Sequence, residues 1–230
     1  MRSFPHRRLQ FRPARTGTLL AGVLSLGIAA GCAAPTPSSA STSVSSGAPM
    51  QDDVLQIRQG AAATWQGHRF GYVGADGRGG ALLDVWSEAE PAWSVHHRLQ
   101  PGAILPAGGR FLRVSELRHG EPGGWIALSP AGDTGAIAPV PPDHAVLPLQ
   151  GSLDIGSTRL ELTGAPEAEV AHARRWPKLQ PLARTPEDQI EALELRVGDT
   201  LTVGNRTLRV ERIQSDAGEI GAFVAFSISP

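Results

Sequence analysis

The sequence predicts an all-β protein made of tandem four-stranded units that combine into two similar barrel- or sandwich-like halves. Three observations predict it. First, apolar residues alternate with polar ones over short runs: Leu193, Leu195 and Val197, then Leu201 and Val203, then Leu208 and Val210. A period of two marks a half-buried strand. Second, Gly198 and Gly204-Asn205 interrupt those runs, where a tight turn needs a positive φ. Gly108 occupies the matching place earlier in the chain, so Gly108 and Gly204 are expected in that conformation. Third, the pattern repeats. Residues 99–114 and 195–210 agree at eight of 16 positions, where unrelated segments share about one.

A shift of 48 residues adds a third copy. It places Ser152–Gly156 and Leu160–Leu162 on Thr200–Gly204 and Leu208–Val210. A looser fourth copy opens with Leu55-Gln56-Ile57 and continues through Gly67-His68-Arg69-Phe70. Each copy is followed by one more β-like run, at residues 81–86, 125–128, 169–173 and 221–226. The unit is therefore about four strands in roughly 40 to 50 residues, too few to bury an apolar face alone. That length also suits a four-bladed propeller, but the uneven spacing favours two halves. Equivalent positions should then share one environment. Leu105, Leu112 and Val114 should be buried like Leu201, Leu208 and Val210, with Arg113 and Arg209 on the opposite face.

Taken in order, residues 1–31 carry five arginines, no acid, and an apolar run from Leu19 to Ala30. A basic start, a short apolar centre and small residues before a cleavage point describe a secretory signal peptide. Cys32, the only cysteine, follows as Ala29-Ala30-Gly31-Cys32. This resembles the lipobox of bacterial lipoproteins, with Ala29 where the family usually has Leu. The resemblance implies that the signal is cut before Cys32 and that Cys32 carries lipid (palmitate among its acyl chains), holding the protein to the bilayer. Ala33 is not the aspartate that in such families favours the inner membrane, so the resemblance points to the outer membrane and its periplasmic face. Residues 32–53 then form a Ser/Pro/Ala-rich tether with nothing to build a core. A flexible chain of about 20 residues spans roughly 25 Å.

The folded part divides into residues 54–140 and 141–230, with the seam in the stretch Pro130 to Pro148, which carries five prolines. Asp76-Gly77 predicts a hairpin turn. Thr185-Pro186-Glu187-Asp188 ahead of Gln189–Leu193 predicts a capped helix of one to two turns.

Without the signal, the chain keeps 21 − 5 = 16 basic and 22 acidic residues, a balance of −6. Dispersed arginines on a mildly acidic domain exclude a nucleic-acid partner, which needs a basic stripe. With Cys32 lipidated no thiol is left for a disulfide, so the core alone must stabilise the domain in an oxidising compartment.

Motifs for chemistry are sparse. His96 and His97 are adjacent in a predicted strand, so they point to opposite faces and cannot readily share a metal. The other histidines lack ligand spacing, and no cofactor motif appears. Gly151-Ser152-Leu153-Asp154-Ile155-Gly156 has a superficial nucleophile pattern, but it lies in a repeat strand and lacks the strand-to-helix elbow. Asp133, Asp143 and Asp154 are expected to be solvated loop acids. Trp86, Trp125 and Trp176 each fall in or beside the last strand of a unit. They either fill the core or form an aromatic surface for an envelope protein or a glycan. The sequence reading is therefore a membrane-anchored envelope lipoprotein with a non-enzymatic binding or assembly role. The alternatives are an envelope hydrolase with an unidentified site and a periplasmic inhibitor or immunity protein.

Overall fold

The computed structural model describes residues 54–230, apart from 88, 90–92, 121–122, 133, 136, 178–186 and 217. The signal, Cys32 and the tether lie outside these residues, as do Asp133 and the Thr185-Pro186 cap. Residues 46–230 form one compact unit.

The protein is all-β, with sixteen strands among the described residues. The first unit comprises β1 (Leu55–Arg58), β2 (Ala62–Trp65), β3 (His68–Ala75) and β4 (Ala81–Ser87). The second comprises β5 (Trp93–Leu99), β6 (Ile104–Ala107), β7 (Arg110–Arg118) and β8 (Trp125–Pro130). The third comprises β9 (Ala145–Pro148), β10 (Gly151–Ile155), β11 (Thr158–Leu162) and β12 (Val170–Pro177). The fourth comprises β13 (Glu191–Arg196), β14 (Thr200–Val203), β15 (Arg206–Gln214) and β16 (Phe223–Ser229).

Every unit is built the same way. Its second and third strands form a hairpin closed by two residues: Gln66-Gly67, Gly108-Gly109, Gly156-Ser157 or Gly204-Asn205. Gly108 has φ +57° and Gly204 φ +63°, as the turn requires and as only glycine adopts without strain. The fourth strand pairs with the third. The first strand pairs outside its own unit. β1 joins β8, β5 joins β4, β9 joins β16 and β13 joins β12. Neighbouring units thus exchange their leading strands, which leaves no independent propeller blade.

The result is three antiparallel sheets, ordered β1-β8-β7-β6, β13-β12-β11-β10-β5-β4-β3-β2 and β14-β15-β16-β9. None closes into a barrel. The two halves follow one plan, because β1-β8-β7-β6 and β9-β16-β15-β14 run in the same order. The resemblance extends to irregularities. The ladder slips between Val114 and Glu116 in β7 and between Val210 and Arg212 in β15, again 96 residues apart. Leu105, Leu112, Val114, Leu208 and Val210 are buried and Leu201 is packed at the core's margin. Arg113 and Arg209 are 32% and 60% exposed, on the other face of their strands.

Each half packs two sheets face to face. Ile57, Phe70, Leu83, Leu105, Val114 and Ile126 fill the first core. Leu147, Leu153, Leu160, Leu195, Leu208 and Phe226 fill the second. Each such side chain contributes about 1.5–3 kcal/mol on burial. A smaller cluster, including Ile104, Phe111, Val140, Val146 and Phe223, packs residues of both halves together. The halves also share the central sheet through the β5–β10 pairing, Trp93↔Ile155 to His97↔Gly151.

Two expectations need correction. The helix of one to two turns reduces to a 3₁₀ turn at Glu187–Gln189. From Glu191 the chain is strand, because Leu193 and Leu195 alternate into the second core and that burial outweighs a weak helical signal. The core-filling role for the tryptophans also fails. Trp86, Trp125 and Trp176 are half-buried, and each carries an arginine over its ring: Arg69 at 5.2 Å, Arg118 at 5.3 Å and Arg174 at 5.1 Å. Alternation turns Trp86 away from the core that Leu83 and Val85 enter.

Candidate functional site

The eight-stranded sheet has one face on the cores and one face outward. On β4 and β5, Leu83, Val85 and Val95 enter the core while Asp84, Trp86, Ser94 and His96 face out. On β10 and β11, Leu153 and Leu160 enter the core while Asp154, Arg159 and Glu161 face out. Register lines these outward groups into rows across the strands.

Two neighbouring rows, Asp84–His96–Ser152 and Ser94–Asp154–Arg159, meet on a diagonal and carry alternating charge across the seam between halves. His96 Nδ1 lies 2.7 Å from Asp84 Oδ1, and His96 Nε2 lies 3.0 Å from Asp154 Oδ2. Arg159 closes the row, its Nε donating to Asp154 Oδ1 at 2.7 Å and its Nη2 to Oδ2 at 2.9 Å. Beyond it, Arg174 Nε donates to Glu161 Oε2 at 2.9 Å. Asp154 is 3% exposed, whereas Asp84, His96 and Arg159 are each about one-third exposed. Asp154 is thus a buried strand carboxylate between two cations, contrary to its expected place among loop acids. Asp143 does lie exposed, beside His144.

The two neighbouring histidines differ sharply. The hydrogen bonds to Asp154 and then Asp84 push the His96 pKa up to about 9. Burial, reinforced by the His96 charge, pushes His97 down to about 4. At neutral pH His96 is an imidazolium with both nitrogens donating. It has no lone pair with which to activate Ser152, its direct cross-strand neighbour, so it cannot serve as a general base. What the row does is bind the halves through charged hydrogen bonds, Asp154 on the second half to His96 on the first.

A pH dependence follows, with a sign for each residue. His96 has a folded pKa above its ordinary 6.5, so its contribution is full below pH 6.5 and disappears as pH rises through 9. That arm amounts to about 1–2 kcal/mol after discounting for solvent screening. His97 has a folded pKa below 6.5. Its contribution is full above pH 6.5 and is lost as pH falls toward 4, on the order of 2–3 kcal/mol. Urea midpoints measured from pH 4 to 10 should therefore peak near 6.5, and His96→Gln should flatten the alkaline side while easing the acid side slightly, because the His96 charge that reinforces the His97 shift is gone. An unchanged alkaline arm in that variant refutes the clamp.

The structure brings two of the three tryptophans together. Register runs Arg69↔Trp86↔Ser94↔Asp154↔Arg159↔Trp176. Trp86 and Trp176 therefore occupy one row, four strand spacings apart, or about 19 Å. Trp86 lies against Gly71, where a Cβ would come within 3.0 Å of the indole. Trp125 belongs to another sheet, on β8. The sequence reading missed Asp84, His96 and Arg159 as a group. One signal was available: Asp154 and Arg159 flank a two-residue hairpin turn and must face each other.

No group of three or more metal-ligating side chains is found among the described residues. Comparison with protein-family models, with curated proteins and with solved structures finds no match to the chain.

Proposed function

We propose that this chain is a lipid-anchored envelope protein, held to the outer membrane by Cys32, that binds a glycan chain on the outward face of its eight-stranded sheet. The observation that carries the binding part is the single row holding Trp86 and Trp176 about 19 Å apart, with Ser94, Asp154 and Arg159 between them. Indole surface left beside Arg69 and Arg174 can pack on a sugar ring, and those two arginines with the partly exposed Ser94 and Arg159 suit hydroxyl groups. The His96 arrangement speaks against the hydrolase alternative, because neither ring nitrogen is available to a nucleophile.

The anchor and the face are tested separately. Palmitate should label the chain and Cys32→Ala should abolish the label; label that persists refutes the anchor. Purified cell-wall glycan should co-sediment the protein, and Trp86→Ala combined with Trp176→Ala should reduce this by about tenfold or more, the scale of two lost stacking contacts. Unchanged co-sedimentation refutes the face.

A further inference from the structure

The first half carries a segment of the second half on the outer edge of β6. The hairpin register bonds Leu105 and Ala107 to β7 and turns the backbone groups of Ile104 and Pro106 outward. The Ile104 N–H donates to Glu219 O at 2.9 Å, and Ile104 and Ile220 form a single parallel bridge. Arg113, the cross-strand neighbour of Ile104, holds the Glu219 carboxylate, Nη2 to Oε2 at 2.7 Å. Ile220 is 4% exposed and packs in one cluster with Ile104 and Phe111. The ladder stops there. Its next bond needs an N–H on Pro106, which proline lacks.

The second half repeats this edge 96 residues on. Thr200 stands for Ile104, Thr202 for Pro106 and Arg209 for Arg113. Thr200 and Arg209 are again cross-strand neighbours. β14 ends its sheet, and among the described residues no strand or isolated bridge pairs with its outer edge. Thr200, Thr202 and Arg209 are all exposed. Arg209 is loosely held: Glu211 Oε1 stands 4.0 Å from its Nε and already accepts from Ser227 Oγ at 2.6 Å. Arg175 donates to the Thr202 carbonyl at 2.8 Å, which leaves the Thr202 N–H facing outward.

Two replacements decide what this edge takes. Thr202 restores the N–H that Pro106 lacks, so a parallel ladder here can run one bond further. Thr200 and Thr207 stand where Ile104 and Phe111 hold Ile220, so the residue after the acid should be polar.

We propose that the outer edge of β14 binds an extended acidic segment of a partner protein, running parallel to β14, with a carboxylate on Arg209 and a small polar residue opposite Thr200. The Thr200 and Thr202 amides supply the ladder bonds of an added strand, and the guanidinium–carboxylate pair fixes its register. The matching segment of a second copy is already engaged on its own β6. This edge shares no residue with the tryptophan row and does not depend on the anchor.

The test is an NMR titration of the detergent-solubilised full chain with acetyl-Ala-Gly-Glu-Thr-Gly-Ala-amide, the sequence of residues 217–222 with threonine in place of Ile220. The Thr200 and Thr202 amide resonances and the Arg209 Nε–H should shift and saturate. A glutamine in place of the peptide glutamate should weaken binding about threefold to fivefold, the scale of an exposed ion pair, as should Arg209→Gln. Thr202→Pro, which copies Pro106, should weaken it by about the same factor through the lost ladder bond. Proline is tolerated on an edge strand, and thermal melts will establish that both variants fold. Trp86→Ala should leave binding unchanged, which separates this edge from the glycan face. Unmoved Thr200 and Thr202 resonances overturn the proposal, as does equal binding of the glutamine peptide. Light scattering of the free chain covers the other occupant: self-association that Thr202→Pro abolishes would assign the edge to a second copy and also overturn the proposal.

Discussion

Asp154→Ala should lower the unfolding free energy by about 3 kcal/mol, the low end of what breaking a buried ion pair costs. The carboxylate is 3% exposed and accepts from His96 and twice from Arg159. Removing it leaves two cations facing a buried gap. The cost stays at the low end because both cations are about one-third exposed and can turn toward water. Asp154→Asn keeps the shape and loses the charge, so it should cost less. His96 should titrate closer to 6.5 in both variants, as followed by ring proton shifts. Asp154 belongs to the second half and His96 to the first, so the loss should also appear as faster amide exchange along β5 and β10. A loss under about 1 kcal/mol is the size of a surface pair, and would mean that the row does not bind the halves.

Gly151→Ala should cost a similar amount, about 3 kcal/mol, the upper end of ordinary overpacking. A Cβ on Gly151 would stand 2.0 Å from the backbone oxygen of His96 and 2.8 Å from Pro148 Cγ. A side chain could rotate away, but a strand carbonyl cannot. The sign of the effect is informative. Replacing glycine by alanine in compatible backbone stabilises by about 0.4–1 kcal/mol through the unfolded chain. A neutral or stabilising Gly151→Ala would thus show that β5 and β10 are not in close register. Denaturant midpoints decide this, and protection of the Arg98 amide, which donates to Gln150 O at 2.8 Å, reports on the seam itself.

Local patterns carried the repeat. The alternation of Leu105, Leu112 and Val114, repeated at Leu201, Leu208 and Val210, marked strands of one geometry. The turn glycines marked the hairpins. Pairing between distant segments left no such trace. β1 joins β8 and β5 joins β10 through backbone hydrogen bonds, which any strand can supply, so apolar alternation did not identify the partner. β9 was hidden for another reason. Three of its four residues, Ala145, Val146 and Leu147, are buried, so it lacks alternation and lies among prolines. The charged row was half legible. The Asp154–Arg159 pair follows from hairpin register, while its link to His96 needs the β5–β10 seam.

The close approach at Gly151 also bears on why the central sheet ends at eight strands. Counting back four residues from the last residue of each first hairpin strand gives Ala61, Ala103, Gly151 and Asp199. Only the third unit has a bare α-carbon there, and only that unit's hairpin accepts a leading strand from the other half. β2, at one rim of the sheet, is built like β10, and β13, at the other rim, is built like β5. Two molecules could in principle join rim to rim and continue into an open fibre, the outcome of head-to-tail contacts that do not close. The Ala61 methyl stands where such a junction needs empty space. The methyl at Ala61 is thus one obstacle to rim-to-rim pairing of this sheet.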